Sequence, residues 1–124
     1  MRAMRIGNLV TVMASAGLLA FPALAQEGRY APQLARILEE AASGNCLAAL
    51  MAPPLLDACN GQIQGMAPAL AAMGAIKSVT FLSARDTAEG RVETYRVEFA
   101  GGQSLNWVIG QERDGKFSTV GTAG

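Results

Sequence analysis

The fold of this chain is decided by the stretch from Gly74 to Val120, which reads GAIKSVTFLSARDTAEGRVETYRVEFAGGQSLNWVIGQERDGKFSTV. Apolar and polar residues alternate there in four short runs, a pattern typical of β-strands with one buried face. Turn-forming residues separate the runs, at Asp86 to Gly90, Gly101-Gly102 and Asp114-Gly115. The stretch therefore predicts a four-stranded antiparallel sheet. The side chains predicted to face inward on its second and third strands are Tyr95, Val97, Phe99, Leu105, Trp107 and Ile109.

Upstream of Gly74 the apolar residues recur at helical spacing. A first helix is predicted from Pro32 to about Ala42, with Leu34, Ile37, Leu38 and Ala41 on its buried side. A second helical segment is predicted to start at Pro53-Pro54, to break at Gly65 and to resume from Met66 to Met73. Neither half could bury its apolar face alone, so the predicted fold class is α+β, with N-terminal helices packed on a curved four-stranded antiparallel sheet.

The N-terminus has the three parts of a secretory signal peptide. Arg2 and Arg5 precede an apolar run from Leu9 to Phe21, and Ala23-Leu24-Ala25 fits the cleavage pattern. The alternative is a retained membrane anchor, but the run is shorter than the roughly 20 residues that span a bilayer. We therefore predict a signal peptide at 1–25, a single domain at 26–124, and a periplasmic or secreted location in a bacterium.

The two cysteines, Cys46 and Cys59, would enter an oxidising compartment if the signal peptide is genuine. A disulfide between them would join two helical pieces across the Pro53-Pro54 corner and close a loop of about 14 residues. The alternatives are two buried free thiols or a metal site. A chain with no His and two Cys cannot supply the usual zinc ligands, so a disulfide is predicted and no metal.

The charge and the motifs exclude several classes of function. Without Arg2 and Arg5 the chain has eight basic residues against ten acids, so its formal charge is about −2 and neither nucleic acid nor a membrane surface is an expected partner. The absence of His removes the commonest general base. No phosphate-binding glycine motif is present, so no cofactor is predicted.

Most aromatic residues of the sheet are predicted to be core, and the methionines Met51, Met66 and Met73 are interpreted as core filler. Tyr95 and Trp107 each carry a polar tip that needs a partner when buried, so one of them could line a ligand cleft. The predicted ligand-binding residues are Tyr95, Trp107, Phe99 and Phe81.

Carboxylates are the remaining candidates for catalysis. Glu93 and Glu98 lie at an odd spacing on one strand, so they point to opposite faces, and Asp57 is the one acid that a helix could turn towards Tyr95. Because acids are mostly exposed, all three are predicted to lie on the surface.

The strand and turn pattern resembles a known family. The segments that carry the likeness are Gly74 to Phe81, Glu93 to Phe99, Leu105 to Ile109 and Asp114 to Phe117, preceded by helices. They are similar to the small helix-plus-sheet domains of the NTF2-like (cystatin-like α+β) group and to domains attached to secreted bacterial serine hydrolases. The resemblance implies either an enzyme of the isomerase or dehydratase type or a non-catalytic ligand-binding or accessory domain.

The leading hypothesis is a non-catalytic domain that binds a small apolar molecule or a protein partner through the sheet. A His-free enzyme using Asp57 and Tyr95 is the rival, and a stand-alone relative of a hydrolase accessory domain is the third candidate. A homodimer formed through the sheet is a further expectation, and no stable membrane anchor is expected after cleavage.

Overall fold

A computed structural model of the chain describes residues 28–123. The predicted signal peptide lies outside the described residues, and nothing in the structure bears on it. Two helices precede four strands, which form one antiparallel sheet in the order β1-β2-β3-β4. The elements are α1 (Ala31–Ala42), α2 (Pro53–Met73), β1 (Ile76–Thr87), β2 (Gly90–Phe99), β3 (Ser104–Arg113) and β4 (Lys116–Thr122). The predicted α+β class is confirmed.

Helix α1 matches its sequence prediction. The four residues predicted to be its apolar side are the four that are buried, namely Leu34, Ile37, Leu38 and Ala41. Tyr30 is the N-cap residue, yet its side chain makes no capping hydrogen bond. The amides at the start of the helix must therefore find acceptors elsewhere.

Helix α2 corrects the prediction of two segments, because it runs without interruption through both Gly65 and Pro68. Both residues are exposed, so the carbonyl that Pro68 leaves unpaired can bond to water. Glycine and proline cost about 1 and about 3 kcal/mol inside a helix. Beyond them, Leu70 is buried and Met73 is partly buried against the core, and that burial holds the last turns in place.

The segment that contains Cys46 is not the helical piece that the disulfide was predicted to join to the next helix. Met51 instead forms an isolated parallel bridge with Phe117 of β4. The amide of Ala52 donates to the Phe117 carbonyl at 2.9 Å, and the amide of Phe117 donates to the Leu50 carbonyl at 2.8 Å. The backbone thus prefers pairing with the edge of the sheet to forming a helical turn of its own.

The predicted disulfide is confirmed. Cys46 and Cys59 are bonded, with their Cα atoms 5.9 Å apart. The bond ties the segment after α1 to the second turn of α2, so it fixes the corner at Pro53-Pro54. No free cysteine remains in the described part of the chain.

The sheet places residues of all four strands in cross-strand rows. One row on the helix-facing side contains Phe81, Tyr95, Trp107 and Thr122. The β1–β2 turn is shorter than predicted, since the strands pair up to Thr87 and Gly90. At the other end β4 continues beyond Val120, the last residue of the predicted strand pattern, to Thr122.

The core lies between the helices and this face of the sheet. Tyr95, Val97, Phe99, Trp107 and Ile109 are buried there as predicted. The prediction that Leu105 faces the core is only partly right. Leu105 lies on the same face of the sheet as Trp107, but it is 36% exposed. Alternation selects the face of a strand, but it does not say how far the covering helices extend.

Candidate functional site: an apolar cleft and a buried carboxylate

A cleft of about 410 Å³ lies between the helices and the sheet. We call it the helix–sheet cleft. Its helical wall comes mainly from α2, and its floor comes from the inward side chains of β3 and β4. Its lining includes Met51, Ala58, Cys59, Gln62, Met66, Ala69, Met73, Leu105, Trp107 and Thr122.

The lining of the helix–sheet cleft contains no Asp, Glu, Lys or Arg. Its polar side chains are Gln62 and Thr122, which are both exposed. Three methionines also line it, and methionine side chains adapt their shape to whatever packs against them. Such a cleft suits an uncharged molecule, because a charge buried there would have no partner.

Trp107 forms part of the cleft floor and is 6% exposed. Its Nε1 atom is shielded from solvent and has no hydrogen-bond partner among residues 28–123. Thr122 is its cross-strand neighbour on β4, yet no hydrogen bond joins the two side chains. The prediction that Trp107 is core is confirmed, but its polar tip is left unsatisfied.

A second polar feature lies on the same face of the sheet, around Glu93. Glu93 is 0% exposed, so the prediction that it lies on the surface is wrong. Its Oε1 accepts hydrogen bonds from the Arg29 amide at 2.9 Å, the Tyr30 amide at 3.0 Å and the Tyr95 hydroxyl at 2.5 Å. Its Oε2 accepts from the Arg91 Nε at 2.6 Å and from the Arg29 amide at 3.0 Å. We call these five residues the Glu93 cluster.

The electrostatics of the cluster keep Glu93 ionised. Burial alone raises its pKa, but the hydrogen bonds from Tyr95, Arg91 and the two amides outweigh burial and hold the pKa below its ordinary value. Burial, followed by the bond to the carboxylate, raises the pKa of Tyr95. The bond to Glu93 raises the pKa of Arg91 further. The stable state is therefore a carboxylate, a neutral phenol and a guanidinium.

The geometry shows what the Glu93 cluster does for the fold. From β2, the carboxylate accepts hydrogen bonds from the amides of Arg29 and Tyr30, the two residues that lead into α1. A negative charge at a helix N-terminus is also favoured by the helix dipole. The four donors fill both oxygens, and a carboxylate has about four acceptor positions. No position is left for a substrate.

Gly28 shows how closely the chain is held at this end. A Cβ atom at that position would collide with the Tyr95 hydroxyl and the Phe81 ring. The Phe81 and Tyr95 rings themselves pack edge to face, with centroids 5.7 Å apart. The residues just before α1 are thus pressed onto the sheet.

The predicted ligand-binding residues do not meet in a single cavity. Trp107 lines the helix–sheet cleft, while Phe99 lines a separate cavity of about 340 Å³ beside α1. Tyr95 belongs to the Glu93 cluster, with Phe81 against it. Phe81, Tyr95 and Trp107 are nevertheless neighbours in one cross-strand row.

The remaining candidates for chemistry lie apart from the cleft. Asp57 is exposed, as predicted. Within residues 28–123, no group of three or more His, Cys, Asp or Glu side chains is placed to hold a metal ion. Neither described helix is long and apolar enough to cross a membrane.

Together, the fold and the two features define an α+β domain with an apolar cleft at one end of its core and a saturated carboxylate at the other. Comparison of the chain with protein-family models, with curated proteins and with solved structures gave no match. The resemblance to NTF2-like domains stays a prediction from the strand and turn pattern. The function must therefore be argued from this chain's own residues.

Proposed function

We propose that this protein is an exported binding domain that holds a small, uncharged, apolar molecule in the helix–sheet cleft and does not transform it. The cleft carries the proposal. Its volume of about 410 Å³ falls within the range of about 300 to 1,000 Å³ that is usual for small-molecule sites. A solvent-open cleft of this size, lined by apolar side chains between the helices and the sheet, favours a binding role.

A small molecule fits better than a protein partner. The large exposed hydrophobic side chains of the described residues are Leu82 and Leu105. They lie on β1 and β3, which are not neighbours in the sheet, so they form no extended apolar patch of the kind that marks protein interfaces. The concave, apolar surface of the domain is the cleft itself.

Catalysis has little support in the same residues. An acid–base catalyst needs a carboxylate with a pKa near the working pH and room for a substrate. Glu93 has a lowered pKa and fully occupied oxygens, and Asp57 is exposed. The domain therefore suits holding or carrying a ligand.

Export is supported by the signal-like N-terminus together with the disulfide, since disulfides persist in oxidising compartments. The test is to express the full chain in a bacterium, recover it from the periplasm and measure its intact mass. We expect loss of residues 1–25 and a mass deficit of two hydrogens that disappears on reduction. A full-length chain retained in the cytoplasm would contradict export.

Binding can be tested with N-phenyl-1-naphthylamine, an uncharged apolar fluorophore that accepts excitation energy from tryptophan. Trp107 is the one tryptophan in the sequence, so quenching of its emission reports on the cleft. We expect saturable quenching at one site per chain, with a matching rise in fluorophore emission. Quenching that stays linear with concentration would contradict a defined site.

Two substitutions on α2 locate the site. Ala69→Phe places a ring in the cleft, because Ala69 is an exposed residue of its lining. Ala72→Phe places the same ring on the exposed side of the same helix, away from the cleft. We expect Ala69→Phe to weaken binding at least about tenfold, equal to about 1.4 kcal/mol, and Ala72→Phe to leave it unchanged. Equal effects would place the fluorophore elsewhere.

A further inference from the structure

We propose, as a deepening of the proposed function on which it rests, that the ligand carries one hydrogen-bond acceptor, such as a ketone, ester or ether oxygen, which receives the Nε1–H of Trp107. The molecule is otherwise hydrocarbon. This inference concerns the chemistry of the ligand and not only its size.

The indole N–H of Trp107 is a hydrogen-bond donor that the described chain leaves unsatisfied. Buried tryptophan N–H groups usually have a partner, because a buried donor without one loses its hydration and gains nothing in return. Trp107 Nε1 is buried and has no partner among residues 28–123. Tyr95, its neighbour on β2, has its hydroxyl bonded to both Glu93 and the Tyr30 amide. The described chain thus provides hydrogen-bond partners for the Tyr95 hydroxyl but none for the Trp107 N–H.

The side chains that line the cleft do not supply an acceptor for this N–H. Gln62 and Thr122 are the polar side chains of the cleft lining, and neither bonds to the indole. Both are exposed, and no other side chain of the lining carries an oxygen atom that could accept the N–H. Trp107 lines the cleft and its N–H is shielded, so an incoming ligand reaches the N–H as the flexible methionines of the lining shift.

The number and charge of the polar groups on the ligand follow from the lining of the cleft. Its residue Trp107 carries one unsatisfied buried donor, and no side chain of the lining is charged. A carboxylate or an ammonium group would be buried without a counter-charge, which is costly. A ligand with one neutral hydrogen-bond acceptor therefore matches the lining of the cleft.

The experiment uses two probes with one carbon skeleton, hexanophenone and hexylbenzene, which differ in a carbonyl or a methylene next to the ring. A ¹⁵N-labelled sample gives one indole N–H signal, because the sequence has one tryptophan. We expect hexanophenone to move this signal downfield, as a new hydrogen bond does, and hexylbenzene not to do so. This measurement needs no variant.

Competition against N-phenyl-1-naphthylamine then gives the affinity of each probe for the protein and for Trp107→Phe, followed through the emission of the fluorophore. We expect the Kd of hexanophenone divided by that of hexylbenzene to rise about tenfold in Trp107→Phe, which equals about 1.4 kcal/mol. Circular dichroism checks that the variant is folded, and the indole signal decides the question if it is not.

The outcomes separate the two proposals. If both probes bind, the ratio is unchanged in Trp107→Phe and the indole signal ignores the carbonyl, then the acceptor inference is overturned and the apolar binding function stands. If neither probe nor the fluorophore binds, the proposed function fails and this inference fails with it. An indole signal already downfield without ligand, and unmoved by hexanophenone, would also overturn the inference.

Discussion

Tyr95 and Trp107 face each other across β2 and β3, yet the two ends of the core to which they belong are built in opposite ways. Around Tyr95 the polar groups are saturated, since Glu93, Arg91 and two backbone amides share their hydrogen bonds. Around Trp107 the side chains are apolar and the indole N–H has no partner in the described chain. The comparison separates a region whose polar groups are all hydrogen-bonded from one that keeps a buried donor unpaired.

The difference follows from the energetics of burial. A buried carboxylate is tolerated only when its charge is paired and its oxygens are bonded, so the Glu93 end cannot also serve a substrate. A lone indole N–H costs far less to leave unpaired than a charge does. The folded protein can therefore tolerate the unpaired N–H of Trp107.

Removing the carboxylate should have the largest effect. Glu93→Ala removes the carboxylate to which Arg91, Tyr95 and the amides of Arg29 and Tyr30 all donate, and breaking one side of a buried ion pair costs about 3 to 5 kcal/mol. Denaturant unfolding measures this loss. Glu98→Ala, on the exposed face of the same strand, is the control and should cost about 0.5 kcal/mol or less. Equal losses would show that the Glu93 cluster does not hold the fold.

Removing the disulfide tests the cleft end. Cys46→Ala with Cys59→Ala opens a loop set by a sequence separation of 13. The expected loss of unfolding free energy is about 3 kcal/mol. Because Cys59 lines the cleft, fluorophore binding should weaken as well. Unchanged binding with lowered stability would show that the cleft keeps its shape without the crosslink.

Removing one hydroxyl measures a single bond in the saturated region. Tyr95→Phe deletes one of the four donors to Glu93 and should cost about 1.5 to 3 kcal/mol, the range for a hydrogen bond to a charged group. The matched control is Tyr30→Phe, since the Tyr30 hydroxyl makes no hydrogen bond within residues 28–123. A loss no larger than that of the control would mean that the short contact to Glu93 adds nothing.

Acidification should remove part of the Glu93 contribution. The pKa of Glu93 in the folded protein lies below its ordinary value of 4.5, so its stabilising effect is complete above that pH and is lost as the pH falls through the folded pKa. Glu93→Gln has no carboxylate to protonate. The difference in unfolding free energy between the two proteins should therefore shrink between about pH 7 and about pH 3. A constant or growing difference would contradict the lowered pKa.

Much of the architecture could be predicted because periodicity carries it. The buried side of α1, the inward residues of β2, the turns at Gly101-Gly102 and Asp114-Gly115 and the disulfide all follow from local patterns and compartment chemistry. The break expected at Gly65 did not occur, because the burial of residues further along α2 outweighs local propensity. Leu105 has the predicted face but not the predicted burial.

The Glu93 cluster was missed, although the sequence contained one signal for it. Glu93 has the same parity as Tyr95 and Val97, so alternation already places it on the inward face, and Arg91 follows the same parity as a partner for its charge. The general tendency of acids to be exposed outweighed that signal in the prediction. Two of the other donors are backbone amides of Arg29 and Tyr30, and a backbone amide leaves no mark in a sequence. The orphan N–H of Trp107 is likewise a property of its surroundings and not of the residue type.

The hydrogen bond between the Arg29 amide and Glu93 joins residues that are 64 positions apart in the sequence. This separation limits the order in which the parts of the fold can form. At about 5 to 20 residues per second, a ribosome needs about 3 to 13 seconds to add that many residues. During this interval the residues that lead into α1 have been synthesised, but the Glu93 carboxylate that accepts their amide hydrogen bonds has not. Helix α1, the first element in the sequence, can therefore form these hydrogen bonds only after β1 and the start of β2 have been synthesised.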